Sequence, residues 1–196
     1  MIDEAQEIDQ RIEAAIYLAD RGEALLREMD AVDEQESSLL RGRLIGWYKV
    51  ILERGNANDP TNSNAIVAHI RIAEHSLALS QLQTARENID ALLGNLPDDP
   101  RVMLLNARLL EVDTKRELAL EEYSTIAAGS PIGSELWLEA KLGQVRCLSR
   151  DDSHKAQLVA KQVLELVPDI ADRWRIPFEA FIKNDAGEGE GDGSGA

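Results

Sequence analysis

The sequence is poor in cysteine and in aromatic residues, and each scarcity excludes a class of protein. Its 196 residues include a single cysteine, Cys147, which excludes an internal disulfide framework and a cysteine-rich zinc site. Aromatic side chains make up 4% of the chain although hydrophobic residues make up 44%, so Leu, Ile, Ala and Val must form the core. Such a composition favours packed helices over strands rich in aromatic and β-branched residues. We therefore predict an all-α fold.

Basic residues are also scarce, since 21 lysines and arginines stand against 36 acidic residues, for a net charge of −15. This balance opposes nucleic-acid binding and adhesion to anionic membranes, both of which depend on Lys and Arg. No apolar run approaches the length of a membrane span, and the acidic first residues do not resemble a secretory signal. The expected location is the cytoplasm, although a soluble portion of a larger anchored or exported protein would have the same composition.

Apolar residues recur at helical spacing through most of the chain. Four segments are predicted. An N-terminal helical hairpin with its linker covers residues 1–64, and three helical pairs cover residues 65–168. A capping helix follows at residues 169–184, and a disordered acidic Gly-rich tail at residues 185–196. The helices are expected at about residues 2–29, 35–54, 65–80, 83–95, 100–113, 116–128, 134–149, 154–166 and 170–183. Helix N-caps are predicted at Asp99, Ser134 and Ser153.

A fixed offset of 34 residues is the strongest internal signal. It relates small residues to small ones, large apolar residues to large ones, and proline to proline. The pairs are Ala73 with Ala107, Ala85 with Ala119, Ile89 with Tyr123, Leu92 with Ile126, and Pro97 with Pro131. A helix–turn–helix unit of this length is the period of the tetratricopeptide repeat, and residues 65–168 resemble that family. The third unit, with Gly143 and Ala156, has a wider offset, and Arg146 departs from the family pattern.

The resemblance implies a superhelix, or solenoid, of stacked antiparallel helical hairpins. In such arrays the first helix of each pair lines a concave groove that receives a partner's peptide. Helical phase places the following candidate partner-binding residues on that face: Arg101, Leu104, Arg108, Trp137 and Gln144. Glu111 and Cys147 fall on the same face.

Two interpretations of these candidate residues remain open. Arg101 and Arg108 are seven residues apart and share a helix face, so they suit a carboxylate anchor, but they equally suit a solvated helix surface. The three tryptophans, Trp47, Trp137 and Trp174, are either interface anchors or core residues.

Sequence motifs for catalysis, metals and cofactors are missing. His69 and His75 are six residues apart, which points them to different sides of one helix. There is no phosphate-binding loop and no nucleophile elbow. We therefore expect no enzyme activity, no metal and no cofactor.

Two functions fit the sequence. The first is an adaptor that binds a peptide or helix of a partner protein in a concave groove. The second is a structural assembly protein, a homo-oligomer that self-associates through its N-terminal helices. Self-association would leave an apolar stripe at Ile8, Ile12, Ile16 and Leu26 uncovered in the monomer.

Overall fold

The computed structural model describes residues 4–29, 34–54 and 62–183, and within these ranges every regular element is an α-helix. The helices are α1 (Glu4–Met29), α2 (Glu34–Arg54), α3 (Ser63–Ala78), α4 (Leu82–Leu93), α5 (Pro100–Val112), α6 (Arg116–Gly129), α7 (Glu135–Leu148), α8 (Ser153–Leu166) and α9 (Asp172–Lys183). The predicted all-α fold is confirmed, and each predicted helix is found within about two residues of its expected bounds. Most of the predicted 55–64 linker and all of the predicted 185–196 tail lie outside the described residues.

The chain divides into two compact units, residues 1–105 and residues 106–196, so the boundary falls inside α5. In each unit the helices pack mainly against their neighbours in sequence: α1 on α2, α2 on α3 and α3 on α4 in unit 1, and α6 on α7, α7 on α8 and α8 on α9 in unit 2. This is the arrangement expected within a solenoid of helical hairpins. The predicted repeat segment, residues 65–168, is shared between the two units.

Unit 1 packs through small residues on α1 and larger ones on α2 and α3. Ala15 and Ala19 of α1 are buried together with Leu44 of α2 and Ile72 of α3. Gly22 brings α1 close to α2, because a Cβ atom at this position would lie 2.9 Å from the Leu44 side chain. A core with few aromatic side chains therefore depends on close approach of the helix backbones.

The N-terminal stripe does not lie uncovered as a whole. Leu26 is buried at 4% exposure, and Ile16 packs against the same core. Ile8 and Ile12 are partly buried. Tyr17, Leu18 and Leu25 are large apolar side chains that α1 exposes.

Helix starts follow the predicted caps with one correction. Ser134 accepts a hydrogen bond from the Trp137 backbone N–H, and Asp99 accepts one from the Arg101 backbone N–H. Before α8, however, the capping residue is Asp152, whose carboxylate accepts from the Lys155 backbone N–H at 2.9 Å. The prediction of Ser153 was wrong by one residue. Asp is as good an N-cap as Ser, and its carboxylate also interacts favourably with the positive end of the helix.

The turns between α3 and α4 and between α5 and α6 have the same geometry. Ser80 has φ 56° and Thr114 has φ 62°, and these two positions are separated by the offset found in the sequence. After each of them one backbone N–H closes the turn: Gln81 donates to the Ser76 carbonyl at 2.8 Å, and Lys115 donates to the Leu110 carbonyl at 2.9 Å. The 34-residue offset therefore relates backbone conformation as well as residue type.

Burial follows the same offset. Ala73 and Ala107 are both 0% exposed, as are Ile89 and Tyr123. The small and large positions of the sequence repeat are thus core positions in both units.

Candidate functional site

An open groove of about 700 Å³ lies in unit 2, where several helix ends meet. The C-terminal ends of α5 and α7, the N-terminal ends of α6 and α8, and one side chain of α9 form it. Three of its lining residues are arginines, Arg116, Arg146 and Arg150, and Phe181 of α9 adds a half-buried ring. The single carboxylate among the lining residues is Glu111. The groove is therefore locally basic in a chain with a net charge of −15.

Arg146 is fixed by a network of hydrogen bonds. Its Nε donates to Oε1 of Glu111 at 2.7 Å and its Nη2 donates to Oε2 of Glu111 at 2.8 Å, which is bidentate pairing. The Tyr123 hydroxyl donates to the same Oε2 atom at 2.7 Å. Burial raises the pKa of Glu111, but the hydrogen bonds and charge of Arg146, together with Tyr123, outweigh it and hold this pKa below its usual value. The network links α5, α6 and α7 under one wall of the groove.

Arg116 and Arg150 are held far less tightly. Arg116 lies 3.9 Å from a carboxylate oxygen of Asp151, at the limit of a salt bridge. Arg150 is exposed, and among the described residues no carboxylate lies within salt-bridge distance of it. These two guanidinium groups retain N–H donors for a ligand, whereas Arg146 is largely committed to Glu111.

Local sequence explains why the arginines gather here. Arg146 lies in the last turn of α7, where a cation interacts favourably with the negative end of the helix. Arg150 follows in the tight turn that leads into α8, and Arg116 begins α6. Consecutive helix pairs bring these turns to the same edge of unit 2.

Cys147 lines the groove but is 3% exposed. Burial raises the pKa of its thiol to about 11. The thiol therefore stays protonated and contributes packing to the groove wall.

The two arginines predicted to bind a partner are engaged in ion pairs. In unit 1, Arg101 forms a bidentate pair with Asp99 at 2.7 and 3.1 Å, and these hydrogen bonds lower the pKa of Asp99. In unit 2, Arg108 donates to Glu139 at 2.8 Å. Arg101 is exposed and Arg108 is half-buried, so both remain accessible from solvent.

The other three predicted residues are buried. Leu104 is 8% exposed, Trp137 is 3% exposed and Gln144 is 7% exposed. Gln144 donates to the Ser124 hydroxyl at 3.0 Å and accepts from Lys141 at 3.1 Å. Of the three tryptophans, Trp137 is core, whereas Trp47 and Trp174 are partly exposed.

Sequence reasoning placed Glu111 and Cys147 on the binding face, and both line the groove. It missed Arg150, because a residue in a turn carries no helical phase that would assign it to a face. It missed Arg116, because this residue begins the second helix of a pair, whereas the first helices were expected to line the groove. Arg146 was visible only as a departure from the repeat pattern. The sequence did contain one indication that Arg146 and Glu111 lie close together, because their separation is one repeat length plus one residue.

Two of the three histidines, His69 and His75, take part in separate networks within unit 1. Nε2 of His75 lies 2.9 Å from Oε1 of Glu23, and the Tyr48 hydroxyl donates to the same oxygen at 3.1 Å. His75 is 2% exposed, so this cluster joins α1, α2 and α3 inside the core. His69 instead pairs through Nδ1 with the Asn88 side chain at 2.8 Å.

Within the described ranges, no three His, Cys, Asp or Glu side chains are grouped so that they could hold a metal ion. Nor is any helix of the described ranges both long and apolar enough to cross a membrane. Comparisons of the chain with protein-family models, with curated proteins and with solved structures find no match.

Proposed function

We propose that the protein is an interaction scaffold that binds an acidic segment of a partner protein in the arginine groove of unit 2. The arginine groove is the surface lined by Arg116, Arg146, Arg150 and Phe181. The observation that supports this proposal is the concentration of three guanidinium groups around one groove in a chain with a net charge of −15. The cytoplasm remains the proposed location, on the sequence grounds given above.

The overall negative charge does not prevent an acidic ligand from binding at this position. At physiological ionic strength, charges more than about 8 Å apart are largely screened. Contacts inside the groove are shorter than this, so the nearby arginines dominate. Arg116 and Arg150 offer N–H donors to carboxylates, and the ring of Phe181 offers an apolar surface to a neighbouring side chain.

We also propose that the helix pairs of residues 65–168 are tetratricopeptide repeats. Two observations support this assignment: the shared turn geometry at Ser80 and Thr114, and the equal burial of positions 34 residues apart. An experimental structure tests it, because residues 63–93 and 97–127 should then superpose closely, helix on helix and turn on turn.

The arginine groove is tested by fluorescence anisotropy with a labelled peptide of alternating Glu and Leu residues. Its control peptide has Gln in place of Glu. We expect Arg116→Glu/Arg150→Glu to weaken binding of the acidic peptide at least about tenfold, because two attractive charges become repulsive. The matched control is Arg43→Glu/Lys49→Glu, which makes the same change in net charge at exposed positions of α2.

Equal affinity of both double variants for the acidic peptide would show that the groove is not the site. Equal binding of the Glu and Gln peptides to the native protein would contradict electrostatic recognition. Capture of partners from the native cell with the same two variants extends the test. Partners that bind in the groove should be lost with Arg116→Glu/Arg150→Glu alone.

Self-association is a second candidate, favoured by the exposed apolar residues of α1. Tyr17 is 69% exposed, and Leu18 and Leu25, two helical turns apart, are 42% and 41% exposed. Light scattering across a concentration series tests this function. A dimer that Leu18→Lys/Leu25→Lys converts to a monomer would support it, and a native monomer at all concentrations would exclude it.

A further inference from the structure

A second cavity lies near the start of α7, whereas the arginine groove lies at its end. It is open to solvent, has a volume of about 290 Å³ and is bordered by the end of α6, the loop that follows it, α7 and the end of α8. Ala127, Val163 and the ring of Trp137 are among its walls. This volume is at the lower end of the range for ligand pockets, which begins at about 300 Å³. The cavity therefore fits a small group.

Lys141 supplies a positive charge at this cavity. Its ammonium lies 5.7 Å from the centre of the Trp137 ring and donates to Oε1 of Gln144 at 3.1 Å. No carboxylate of the described residues lies within salt-bridge distance of it, whereas Lys115 and Lys155 each pair with a neighbouring Asp. Burial lowers the pKa of Lys141, and no acidic group opposes that effect. A half-buried ammonium with spare N–H donors, and with no counterion among the residues that the structure describes, is thus held at the cavity.

Two large aliphatic side chains beside the ammonium are left in contact with water. Ile132 is 64% exposed and Leu166 is 49% exposed, and both line the cavity. Exposed single aliphatic residues are common on protein surfaces. Two of them flanking one cavity that holds the Lys141 ammonium make a surface that is complementary to a negatively charged group on a hydrocarbon chain.

We propose that this cavity binds an aliphatic carboxylate, with the carboxylate on the Lys141 ammonium and the hydrocarbon chain between Ile132 and Leu166. The ring of Trp137 forms the floor beneath the ammonium. A carboxylate fits better than a phosphate, because a single lysine supplies one positive charge. The same chemistry is available from two sources, a free short-chain acid or an acidic side chain flanked by aliphatic residues in a peptide. This site is independent of the arginine groove and of the function proposed for it.

The test follows the Trp137 indole N–H signal in nitrogen-15 NMR spectra, after its assignment with Trp137→Phe. Four probes are titrated: hexanoate, hexanamide, and the blocked tripeptides acetyl-Leu-Glu-Leu-amide and acetyl-Leu-Gln-Leu-amide. We expect at least one acidic probe to shift the signal saturably, with its uncharged counterpart binding at least about tenfold more weakly. The acidic probe that binds more tightly identifies the source.

The variants separate charge from packing. Lys141→Met keeps the aliphatic stem and removes the charge, so it should weaken binding of the acidic probe at least about tenfold. Lys141→Arg should retain binding, and Lys155→Met, a charge-matched change at the start of α8, should leave it unchanged. Equal shifts with acidic and uncharged probes would overturn the proposal, as would undiminished binding to Lys141→Met or no shift with any probe. If Lys141→Met does not fold, the comparison of acid with amide on the native protein decides.

Discussion

The ring of Tyr123 occupies the space that a side chain at position 143 would need. A Cβ atom added to Gly143 would lie 2.4 Å from Cζ of the Tyr123 ring, closer than side-chain atoms approach one another. Tyr123 is 0% exposed and its hydroxyl is fixed by Glu111, so the ring has little freedom to move. Tyr123 of α6 can therefore pack at this position because residue 143 of α7 is a glycine.

From this contact we predict that Gly143→Ala lowers the free energy of unfolding by about 1–3 kcal/mol, because overpacking displaces a fixed ring. Urea denaturation followed by circular dichroism measures it. Gly46→Ala is the control, since no atom lies within 4 Å of an added Cβ there. At this helix-interior position the change should instead stabilise the protein by about 0.5–1 kcal/mol. Equal effects of the two variants would show that the contact with Tyr123 does not matter.

Thr114 is strained, since a β-branched residue has φ 62° in the turn between α5 and α6. We predict that Thr114→Gly raises the free energy of unfolding by up to about 1 kcal/mol, because relief of strain of about 1–3 kcal/mol exceeds the entropy that glycine adds to the unfolded chain. Thermal denaturation gives the measurement. Thr125→Gly, in the interior of α6, should instead lower the free energy of unfolding by about 0.3–0.5 kcal/mol, because glycine ranks below threonine in helix propensity. A loss of stability in both variants would contradict the strain argument.

Glu122 is the basis of a pH-dependent prediction. Its Oε1 accepts from Asn106 at 2.6 Å, whereas its Oε2 is buried with no partner among the described residues. Burial raises the pKa of Glu122 and the neighbouring Glu121 adds to this, against a hydrogen bond from Asn106 that lowers it. Because the folded pKa lies above the unfolded one, the stability associated with this group is complete at low pH and is lost as pH rises through the folded pKa.

Glu122→Gln should therefore raise the melting temperature at pH 7, where the native protein keeps a charge in a poorly solvated position. The gain should shrink at pH 4, where the native carboxyl is more protonated. Calorimetry at both values measures the difference, with Glu117→Gln as an exposed control on the same helix. A gain independent of pH would show that the ionisation of Glu122 is not its cause.

The contribution of Arg101 and Arg108 to binding of the acidic peptide can be measured separately from that of the arginine groove. Arg101 and Arg108 are paired with Asp99 and Glu139. Their N–H donors are therefore partly occupied, and we predict that Arg101→Gln/Arg108→Gln changes the affinity for the acidic peptide by less than about threefold, the effect of an exposed charge. Anisotropy titrations alongside Arg116→Glu/Arg150→Glu make the comparison. A tenfold loss of affinity in Arg101→Gln/Arg108→Gln would instead place the binding site on the face predicted from sequence.

Sequence by itself determined the helices. Apolar spacing, proline and glycine located all the helices of the described residues, because these signals act through local backbone geometry. The 34-residue offset also coincides with core positions, since a residue type that recurs at a structural period reports a recurring environment. Ala85 and Ala119, for example, are both fully buried.

Only the tertiary structure decided which charges meet. Helical phase assigned Trp137 to an open face, but α6 and α8 cover much of it, and phase cannot reveal what packs on a helix. The arginine groove draws on Arg116 at the start of α6 and on Arg150 in a turn, and its members are brought together by the stacking of separate helices. The same holds for Lys141, which lacks a counterion because packing placed it beside Trp137 and Gln144 and away from every described carboxylate. Periodicity is encoded over a few residues, whereas the pairing of side chains depends on contacts between distant segments.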